Sequence, residues 1–249
     1  MTGASSGLGR EFALELASRG YPVLAAARRL DRLGELAGDV ESRGGSLEPL
    51  AVDLSTPAGV DALLAAAAGR TVDLLVNNAG VATYGLFASL APGRERELVR
   101  LNVEAVVALT RGLLPGMLER RRGGVINVAS QMAFQAMPYF AAYAASKSFV
   151  LSFTEALAEE LRGSGVRVTA VAPGFVATGF ASAAGSEHAE RRFPHLQARR
   201  VVEDALRAHD RGRTVTVIGG VYRFLTSSGR LAPRFVVRRM MREVLKPPS

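Results

Sequence analysis

Cysteine is absent from this 249-residue chain, which excludes both disulfide bonds and thiol-based catalysis. Histidine occurs only three times, and no group of histidine and acidic residues has metal-site spacing, so no metal ion is expected. No apolar run looks long enough for a membrane-spanning helix, and no secretory leader is visible. Together these absences lead us to expect a cytoplasmic protein that works without a metal.

Lysine is also scarce, since only Lys147 and Lys246 occur, and arginine carries most of the positive charge. The chain has a net charge of +8, of which residues 190–249 hold +9 and the first 189 residues hold −1. The basic excess therefore lies entirely in the C-terminal part. No nucleic-acid-binding module accompanies it, and charge alone supports only nonspecific affinity, so no specific nucleic acid partner is expected.

Apolar sequence is plentiful, at 48% of the chain, which suffices for one sizeable core and predicts a single domain. Short apolar runs alternate with helical stretches, as in a parallel sheet covered on both faces. The predicted fold is therefore an α/β, Rossmann-like, doubly wound parallel sheet in three layers. The predicted strands are Val23–Ala27, Leu47–Val52, Asp73–Val76, Gly124–Ala129, Val166–Ala172 and Thr214–Ile218, and the predicted helices include Pro57–Ala68, Arg94–Glu119 and Ala142–Arg162.

A glycine-rich turn, residues 2–9, runs into an amphipathic helix at about Arg10–Arg19. Glycines let the backbone approach a pyrophosphate at a helix N-terminus, although a simple tight connection would use the same residues. The next strand ends in Arg28 and Arg29, where NAD-binding sheets carry an acidic residue and this chain has Ala27. A guanidinium suits a 2′-phosphate, so the sequence favours NADP(H) over NAD(H), the alternative being a solvated basic turn.

Small and amide residues follow the buried strand Asp73–Val76, in the order Asn77-Asn78-Ala79-Gly80. Such a run at the carboxyl end of a strand fits a loop that lies against a ligand in an open α/β sheet. Asparagine and glycine also form ordinary turns, so this motif alone does not indicate a ligand site. It supports one because of its place in the order of the motifs along the chain.

Tyr143 and Lys147 are four residues apart, which places them about one turn apart on one helix face. An ammonium beside a phenol favours the phenolate, so Lys147 is expected to lower the pKa of Tyr143 towards working pH. A tyrosine tuned in this way exchanges a proton with an alcohol or ketone. For an isolated pair, the alternative is a surface tyrosine packed on a lysine stem.

These motifs follow the order found in the short-chain dehydrogenase/reductase family, which the chain resembles over residues 1 to about 180. The remaining third is less typical and resembles a branch of NADP-dependent ketone and 3-ketoacyl reductases with a basic C-terminal tail. The residues that carry the resemblance are Thr2, Gly3, Gly7, Gly9, Asp53, Asn77, Asn78, Ala79, Gly80, Asn102, Ser130, Tyr143, Lys147, Pro173, Gly174, Val176 and Thr178.

The resemblance implies a catalytic set of four residues. Tyr143 would donate the proton in reduction, and Lys147 would lower its pKa and hydrogen-bond the nicotinamide ribose. Ser130 would hold the substrate oxygen, and Asn102, inside a long helix, would hold a water that links Lys147 to solvent. The residues implied in cofactor binding are Gly3, Ser5, Ser6, Gly7, Leu8, Gly9, Arg28, Arg29, Asp53, Leu54, Asn78, Ala79, Gly80, Tyr143, Lys147, Pro173, Gly174, Val176 and Thr178; Asp53 could instead simply end its strand.

The implied activity is an NADP(H)-dependent interconversion of a carbonyl and a secondary alcohol on an apolar substrate. A non-catalytic NADP(H)-binding redox sensor or scaffold is the alternative, but it has no need of a proton donor beside the nicotinamide. Residues 180–197 would form a mobile lid that carries His188 and His195 on its surface. An apolar substrate wall, or else a set of core or subunit contacts, is predicted from Gln131, Met132, Phe134, Met137 and Phe140.

The family's first strand, which would precede Thr2, is missing from this sequence. Its absence would leave backbone groups of two neighbouring strands unpaired in a buried setting, each costing on the order of 1–3 kcal/mol. We therefore expect the natural chain to begin several residues upstream, with Met1 in a strand position.

Residues 1–220, including the lid, are expected to form the NADP-binding domain, and residues 221–249 a basic amphipathic tail. Within the tail, residues 234–246 have the pattern of a helix with one apolar and one basic side. Such a helix either lies on an anionic membrane surface, or packs on its own domain or on a second subunit. A homodimer or homotetramer, paired through the helices that contain Asn102 and Tyr143, is implied by the resemblance.

Overall fold

The computed structural model describes residues 1–229 and 233–247 of the chain. Its strands are β1 (Val23–Ala27), β2 (Leu47–Ala51), β3 (Leu74–Asn77), β4 (Gly123–Val128), β5 (Val166–Pro173) and β6 (Val215–Ile218). They pair in the orders β1–β2 and β3–β4–β5–β6, and every pairing between them is parallel. All six predicted strands are therefore present, with ends that differ from the prediction by at most one residue.

Helices connect the strands and cover both faces of the sheet. They are α1 (Gly7–Ser18), α2 (Leu30–Glu41), α3 (Pro57–Ala67), α4 (Pro92–Val99), α5 (Ala105–Glu119), α6 (Ala141–Glu160), α7 (Phe180–Ala184), α8 (Glu187–Glu190), α9 (Ala198–Asp210), α10 (Gly220–Gly229) and α11 (Arg234–Val244). On one face, α1, α2 and α9 pack on the sheet through residues such as Phe12, Leu33 and Leu206. On the other, α3, α5 and α6 do so through Leu63 and Leu109 among others, which confirms the predicted three layers.

Met1 and Thr2 lie between the two parts of the sheet. The carbonyl oxygen of Met1 accepts a hydrogen bond from the amide of Ala26 at 2.9 Å, and the amide of Thr2 donates to the carbonyl of Val76 at 3.1 Å. Thr2 also forms a parallel bridge with Ala26. Met1 therefore stands in a strand position, as expected, whereas the proposed upstream start stays a prediction.

One stretch, Pro92–Glu119, differs from the expectation that no run could span a membrane. It comprises α4, a π-helical turn and α5, and by length and composition alone it is long and apolar enough to cross a bilayer. In the protein, however, Leu98, Leu109 and Met117 on this stretch are fully buried against other elements. Burial of this kind is also what a covering helix of a three-layer core requires.

Helix α11 packs one of its sides on the rest of the protein. Val237 and Leu245 are buried, and Leu245 belongs to the apolar cluster that contains Tyr143. The hydroxyl of Tyr84 donates to the carbonyl of Leu245 at 2.6 Å, and a guanidinium nitrogen of Arg192 donates to the carbonyl of Val244 at 2.7 Å. Among the alternatives for the tail, packing on its own domain is thus observed.

Candidate active site

A cleft of about 570 Å³ lies at the carboxyl ends of the strands, the usual ligand position in an open α/β sheet. The predicted cofactor residues all line it except Gly9, and Ser130, Tyr143 and Lys147 of the predicted catalytic set line it as well. Residues from seven separate stretches of sequence therefore meet in one cavity. Asn102 is the predicted catalytic residue that does not reach the cleft wall.

Two positions of the N-terminal turn require glycine, because other backbone segments approach them closely. Gly3 has a φ of +67°, and a Cβ atom there would lie 2.8 Å from the Cα of Ala79. A Cβ on Gly9 would lie 2.0 Å from the carbonyl oxygen of Gly3, so Gly9 lets α1 pack on the turn without lining the cleft. The side-chain amide of Asn78 donates to the carbonyl of Thr2 at 3.1 Å and fixes the turn to the loop after β3. The N-terminus of α1 is thereby held open to the cleft, as a pyrophosphate group would require.

The two arginines after β1 have different partners. Arg29 donates to the hydroxyls of Ser5 and Ser6, each at 3.0 Å, and so lies against the glycine-rich turn. Arg28 instead forms an ion pair with Glu97 at 2.9 Å. Both were predicted to hold a 2′-phosphate. Arg29 lies beside the turn, whereas Arg28 would first have to release Glu97, a carboxylate that it shares with Arg94.

Asp53 both lines the cleft and caps the turn that follows β2. One of its carboxylate oxygens accepts hydrogen bonds from the amide and the hydroxyl of Ser55, at 3.0 and 2.8 Å. Burial raises the pKa of Asp53, but the two bonds from Ser55 and the charge of Arg28 outweigh it, so the net pKa is lowered. The turn-capping role left open for Asp53 is therefore real, and a cofactor contact would be additional.

Tyr143 and Lys147 lie one turn apart on α6, and both are buried. The ammonium of Lys147 donates to the carbonyl of Val128 at 2.8 Å and lies 5.9 Å from the centre of the Tyr143 ring. Burial raises the pKa of Tyr143 to about 12 and lowers that of Lys147 to about 8. The expected lowering of the tyrosine pKa is thus wrong for this arrangement, because burial disfavours the phenolate more strongly than its surroundings favour it.

Ser130 follows β4 and faces Tyr143. Its hydroxyl lies near the phenol and lowers the pKa of Tyr143, against the larger raising effect of burial. The hydroxyl also accepts a hydrogen bond from the amide of Met132 at 3.2 Å, which fixes its position at the start of a short 3-10 helix, Gln131–Phe134. Both hydroxyl groups therefore lie on the same wall of the cleft, where they could hold a single oxygen atom between them.

Asn102 lies in the π-helical turn Arg100–Glu104, not in the regular helix that was predicted. Its side chain exchanges two hydrogen bonds with the backbone of Val81, at 2.9 and 3.0 Å, and donates to the hydroxyl of Ser146 at 3.0 Å. A Cβ on Gly80 would lie 3.1 Å from its oxygen and 3.4 Å from the nitrogen of Lys147. Asn102 thus stands behind the cleft wall beside Lys147, and its role in holding a water stays a prediction.

The predicted apolar wall is only partly formed as expected. Gln131, Met132 and Phe140 line the cleft, and Met137 packs in the buried cluster behind them. Phe134 does not join them, since it packs in core clusters on the other side of its 3-10 turn. The difference arises because successive residues of a 3-10 helix point in different directions, about three to a turn.

The lid segment covers the substrate end of the cleft. The ring of Phe180 lies 5.8 Å from that of Tyr143, and Ser186 and Glu190 also line the cavity. His195 forms an ion pair with Glu190 at 3.2 Å and is 41% exposed, and His188 is exposed as well, as expected for surface residues of the lid. Sequence reasoning did not single out Phe180 or Glu190 as site residues, because no motif surrounds either of them.

The fold and the cleft together define an α/β protein with a dinucleotide-sized site and a buried tyrosine–lysine pair. A sequence profile of the family described as short chain dehydrogenase matches residues 1–189. The chain belongs to this family of oxidoreductases.

Similar proteins agree with this assignment. An oxidoreductase of Myxococcus xanthus without assigned function is 43% identical over 180 residues, covering 71% of this chain and 70% of that protein. The very-long-chain 3-oxoacyl-CoA reductase of Bos taurus is 32% identical over 183 residues, covering 72% of this chain and 59% of that protein. The chain therefore spans only part of the length of these relatives.

Solved structures show the same fold. A short-chain dehydrogenase from Sphingobium yanoikuyae in complex with NADPH has a TM-score of 0.84 at 30% identity, covering 93% of this chain and 92% of that one. One from Burkholderia phymatum in complex with NAD has a TM-score of 0.85 at 28% identity, covering 100% of this chain and 96% of that one. The predicted α/β fold is thereby confirmed.

Proposed function

We propose that this protein is an NADP(H)-dependent oxidoreductase that interconverts a carbonyl and a secondary alcohol on an apolar substrate. The observation that carries the proposal is the convergence of the Ser130 and Tyr143 hydroxyls, with Lys147 beside them, in the cleft that the glycine-rich turn opens into. A protein that only senses a dinucleotide would have no need of a buried proton donor in that position.

The cofactor would lie along the cleft from the N-terminus of α1 to the loop after β5. Gly3 and Gly9 let the turn pack closely on the loop after β3 and on α1, and the uncapped start of α1 would meet the pyrophosphate. Arg29 and the absence of a carboxylate at Ala27 favour a 2′-phosphate, and the NADPH complex of the Sphingobium yanoikuyae relative supports this choice. When bound, the nicotinamide supplies or accepts the hydride.

The protein's own residues would hold the substrate oxygen and move the proton. Ser130 would donate a hydrogen bond to the carbonyl oxygen, and Tyr143 would give that oxygen its proton as charge develops. With a pKa of about 12 the phenol is protonated at neutral pH, and with a pKa of about 8 Lys147 is mainly the ammonium. This protonation state serves reduction of a carbonyl.

The substrate is expected to be an apolar ketone or a 3-ketoacyl thioester. Met132, Phe140 and Phe180 give the substrate end of the cleft an apolar lining around Tyr143. The 3-oxoacyl-CoA reductase name of the Bos taurus relative supports a keto group on a long acyl chain. Glu190 is the acidic residue at this end, and it would disfavour a substrate whose anionic group reaches the lid.

A homodimer is proposed as the working assembly, formed through the long helices of the α5 and α6 layer. Phe149 on α6 and Val99 at the end of α4 are 41% and 44% exposed, which leaves apolar surface for a second copy on this side. Light scattering after gel filtration would test the assembly, and Phe149→Glu is expected to yield monomers.

The function is tested by following NADPH oxidation against a panel of apolar ketones and 3-ketoacyl thioesters. We expect turnover that falls by roughly 10²–10⁴-fold in Tyr143→Phe, because the proton donor is lost while the ring remains. Tyr139→Phe is the matched control, since it removes a phenol from a ring that does not line the cleft.

Cofactor binding, measured separately by fluorescence titration of NADPH, distinguishes the outcomes. Tight NADPH binding in both variants with no turnover on any substrate would favour the sensor alternative. Full activity of Tyr143→Phe would reject the proposed mechanism outright.

A further inference from the structure

The outer face of helix α11 carries apolar residues that nothing in the described structure covers. We define this face as Phe235, Val236, Arg238, Arg239, Met240 and Arg242. Phe235 is 65% exposed, Met240 is 53% exposed and Val236 is 45% exposed. Three large apolar side chains on eleven residues of one helix are more than an ordinary solvated surface displays.

The inner side of the same helix already has its partners. Val237 and Leu245 are buried, and Met241 and Val244 pack against the apolar cluster around Tyr143. The apolar residues of the outer face are therefore not those that hold α11 on its domain. They form a second apolar surface on a helix whose own packing is complete.

The positive charge of α11 distinguishes between the two partners that could cover this face, a second copy of the chain and an anionic membrane. Residues 234–246 contain five basic residues and one acid, a net charge of +4. Within residues 1–229 and 233–247, no ion pair involves an arginine of the outer face. A second copy of α11 would bring like charges together, whereas an anionic surface with an apolar interior would satisfy both kinds of residue.

We propose that the outer face of α11 is a docking surface for an anionic lipid bilayer. Phe235, Val236 and Met240 enter the boundary between headgroups and acyl chains, and Arg238, Arg239 and Arg242 bind lipid phosphates. Their long stems let the guanidinium groups reach the headgroups while the helix lies in the plane of the interface. Each basic residue near such a surface strengthens binding by about fivefold.

Docking in this position would bring the cleft close to substrate that is dissolved in the membrane. This part of the inference rests on the proposed function. Leu245 at the end of α11 packs in the same cluster as Met132, Phe140 and Tyr143. The helix that touches the bilayer is thus also part of the wall behind the catalytic tyrosine. An apolar ketone dissolved in the membrane would then be concentrated within one helix diameter of the cleft.

The test is co-sedimentation of the full chain with vesicles, using substitutions on the outer face. A truncation would be unsuitable, since loss of α11 uncovers the cluster around Tyr143. We expect binding to phosphatidylcholine vesicles that contain phosphatidylglycerol, at about 0.1 M salt, and none to phosphatidylcholine alone. The double variant R239E/R242E is expected to bind at least roughly 30-fold more weakly, and F235S/M240S is expected to lose most of its binding.

The matched control is R43E/R211E, which makes the same charge change at two exposed arginines outside α11 and outside the α5 and α6 layer. It should bind vesicles nearly as wild type does, because those arginines lie outside the docking surface. NADPH binding confirms that each variant is folded, and vesicle binding does not depend on whether any ketone is turned over. No binding to anionic vesicles would overturn the proposal, as would equal weakening by the control. Dissociation of an oligomer by F235S/M240S with unchanged vesicle binding would assign the face to a second copy.

Discussion

The part of the chain up to residue 189 and the part beyond it build the protein in different ways. The first part has a net charge of −1 and forms the cleft from short motifs at strand ends, where backbone atoms approach closely at Gly3 and Gly9. The second part has a net charge of +9 and is held by side chains that reach across the molecule, as Tyr84 reaches Leu245 over 161 residues. Short sequence motifs thus supply the residues of the cleft, whereas contacts between residues far apart in sequence hold the second part against the first.

Gly9→Ala is expected to have the largest effect on the first part. The new Cβ would lie 2.0 Å from the carbonyl oxygen of Gly3, so the turn or α1 must shift. We expect a loss of more than about 3 kcal/mol in the free energy of unfolding, together with loss of NADPH binding. Urea unfolding and NADPH titration measure the two effects.

The control for that prediction is Gly34→Ala in α2. A Cβ at Gly34 meets no atom within 4 Å, so the substitution should stabilise the helix by about 0.5–1 kcal/mol. Similar destabilisation by both substitutions would show that close approach at the turn is not what distinguishes Gly9.

Ala27→Asp tests the cofactor preference in the same part of the molecule. A carboxylate at the end of β1 would repel a 2′-phosphate and accept hydrogen bonds from a ribose hydroxyl. The ratio of kcat/KM for NADPH to that for NADH is expected to fall by about 100-fold, which equals about 2.7 kcal/mol. Arg28→Ala should change this ratio less than Arg29→Ala, because Arg28 is paired with Glu97. The reverse order would contradict the assignment of Arg29.

His209 offers a test in the second part. It is buried on α9, and its ring nitrogen Nδ1 lies 2.9 Å from the hydroxyl oxygen of Thr169. Burial lowers its pKa to about 4; the charge of Arg167 also lowers the pKa, and the charge of Asp210 raises it by less than burial lowers it. Because the folded pKa lies below the unfolded value of about 6.5, the unfolded state takes up the proton first as pH falls. The contribution of His209 to the free energy of unfolding is therefore fully present above about pH 6.5 and is lost as the pH falls towards 4.

The expected loss from His209 is about 2 kcal/mol between about pH 7.5 and pH 5. Urea unfolding at the two pH values, with His209→Gln beside the wild type, isolates this contribution from the carboxyl groups that titrate nearby. An equal pH dependence in both proteins would mean that His209 is not held neutral.

The same division explains what the sequence could and could not predict. Strand ends and the residues that line the cleft followed from short patterns, because a strand, its turn and the next helix are neighbours along the chain. The pairing of Arg28 with Glu97, the π-helical turn at Asn102 and the inward packing of Phe134 did not. The first two depend on residues far away in sequence and the third on a 3-10 turn that no pattern announced, and burial likewise reversed the expected pKa shift of Tyr143.

Tyr84→Phe is expected to have the smallest effect, and it sharpens the comparison most directly. It removes the 2.6 Å hydrogen bond to the carbonyl of Leu245 and leaves the ring in place, at a cost of about 1 kcal/mol in the free energy of unfolding. Protease cleavage at the exposed Phe235 should become faster, while NADPH binding stays unchanged. Tyr139→Phe, on the ring 6.4 Å away, is the control that should alter neither. Weakened NADPH binding in Tyr84→Phe would show that the two parts of the molecule are coupled.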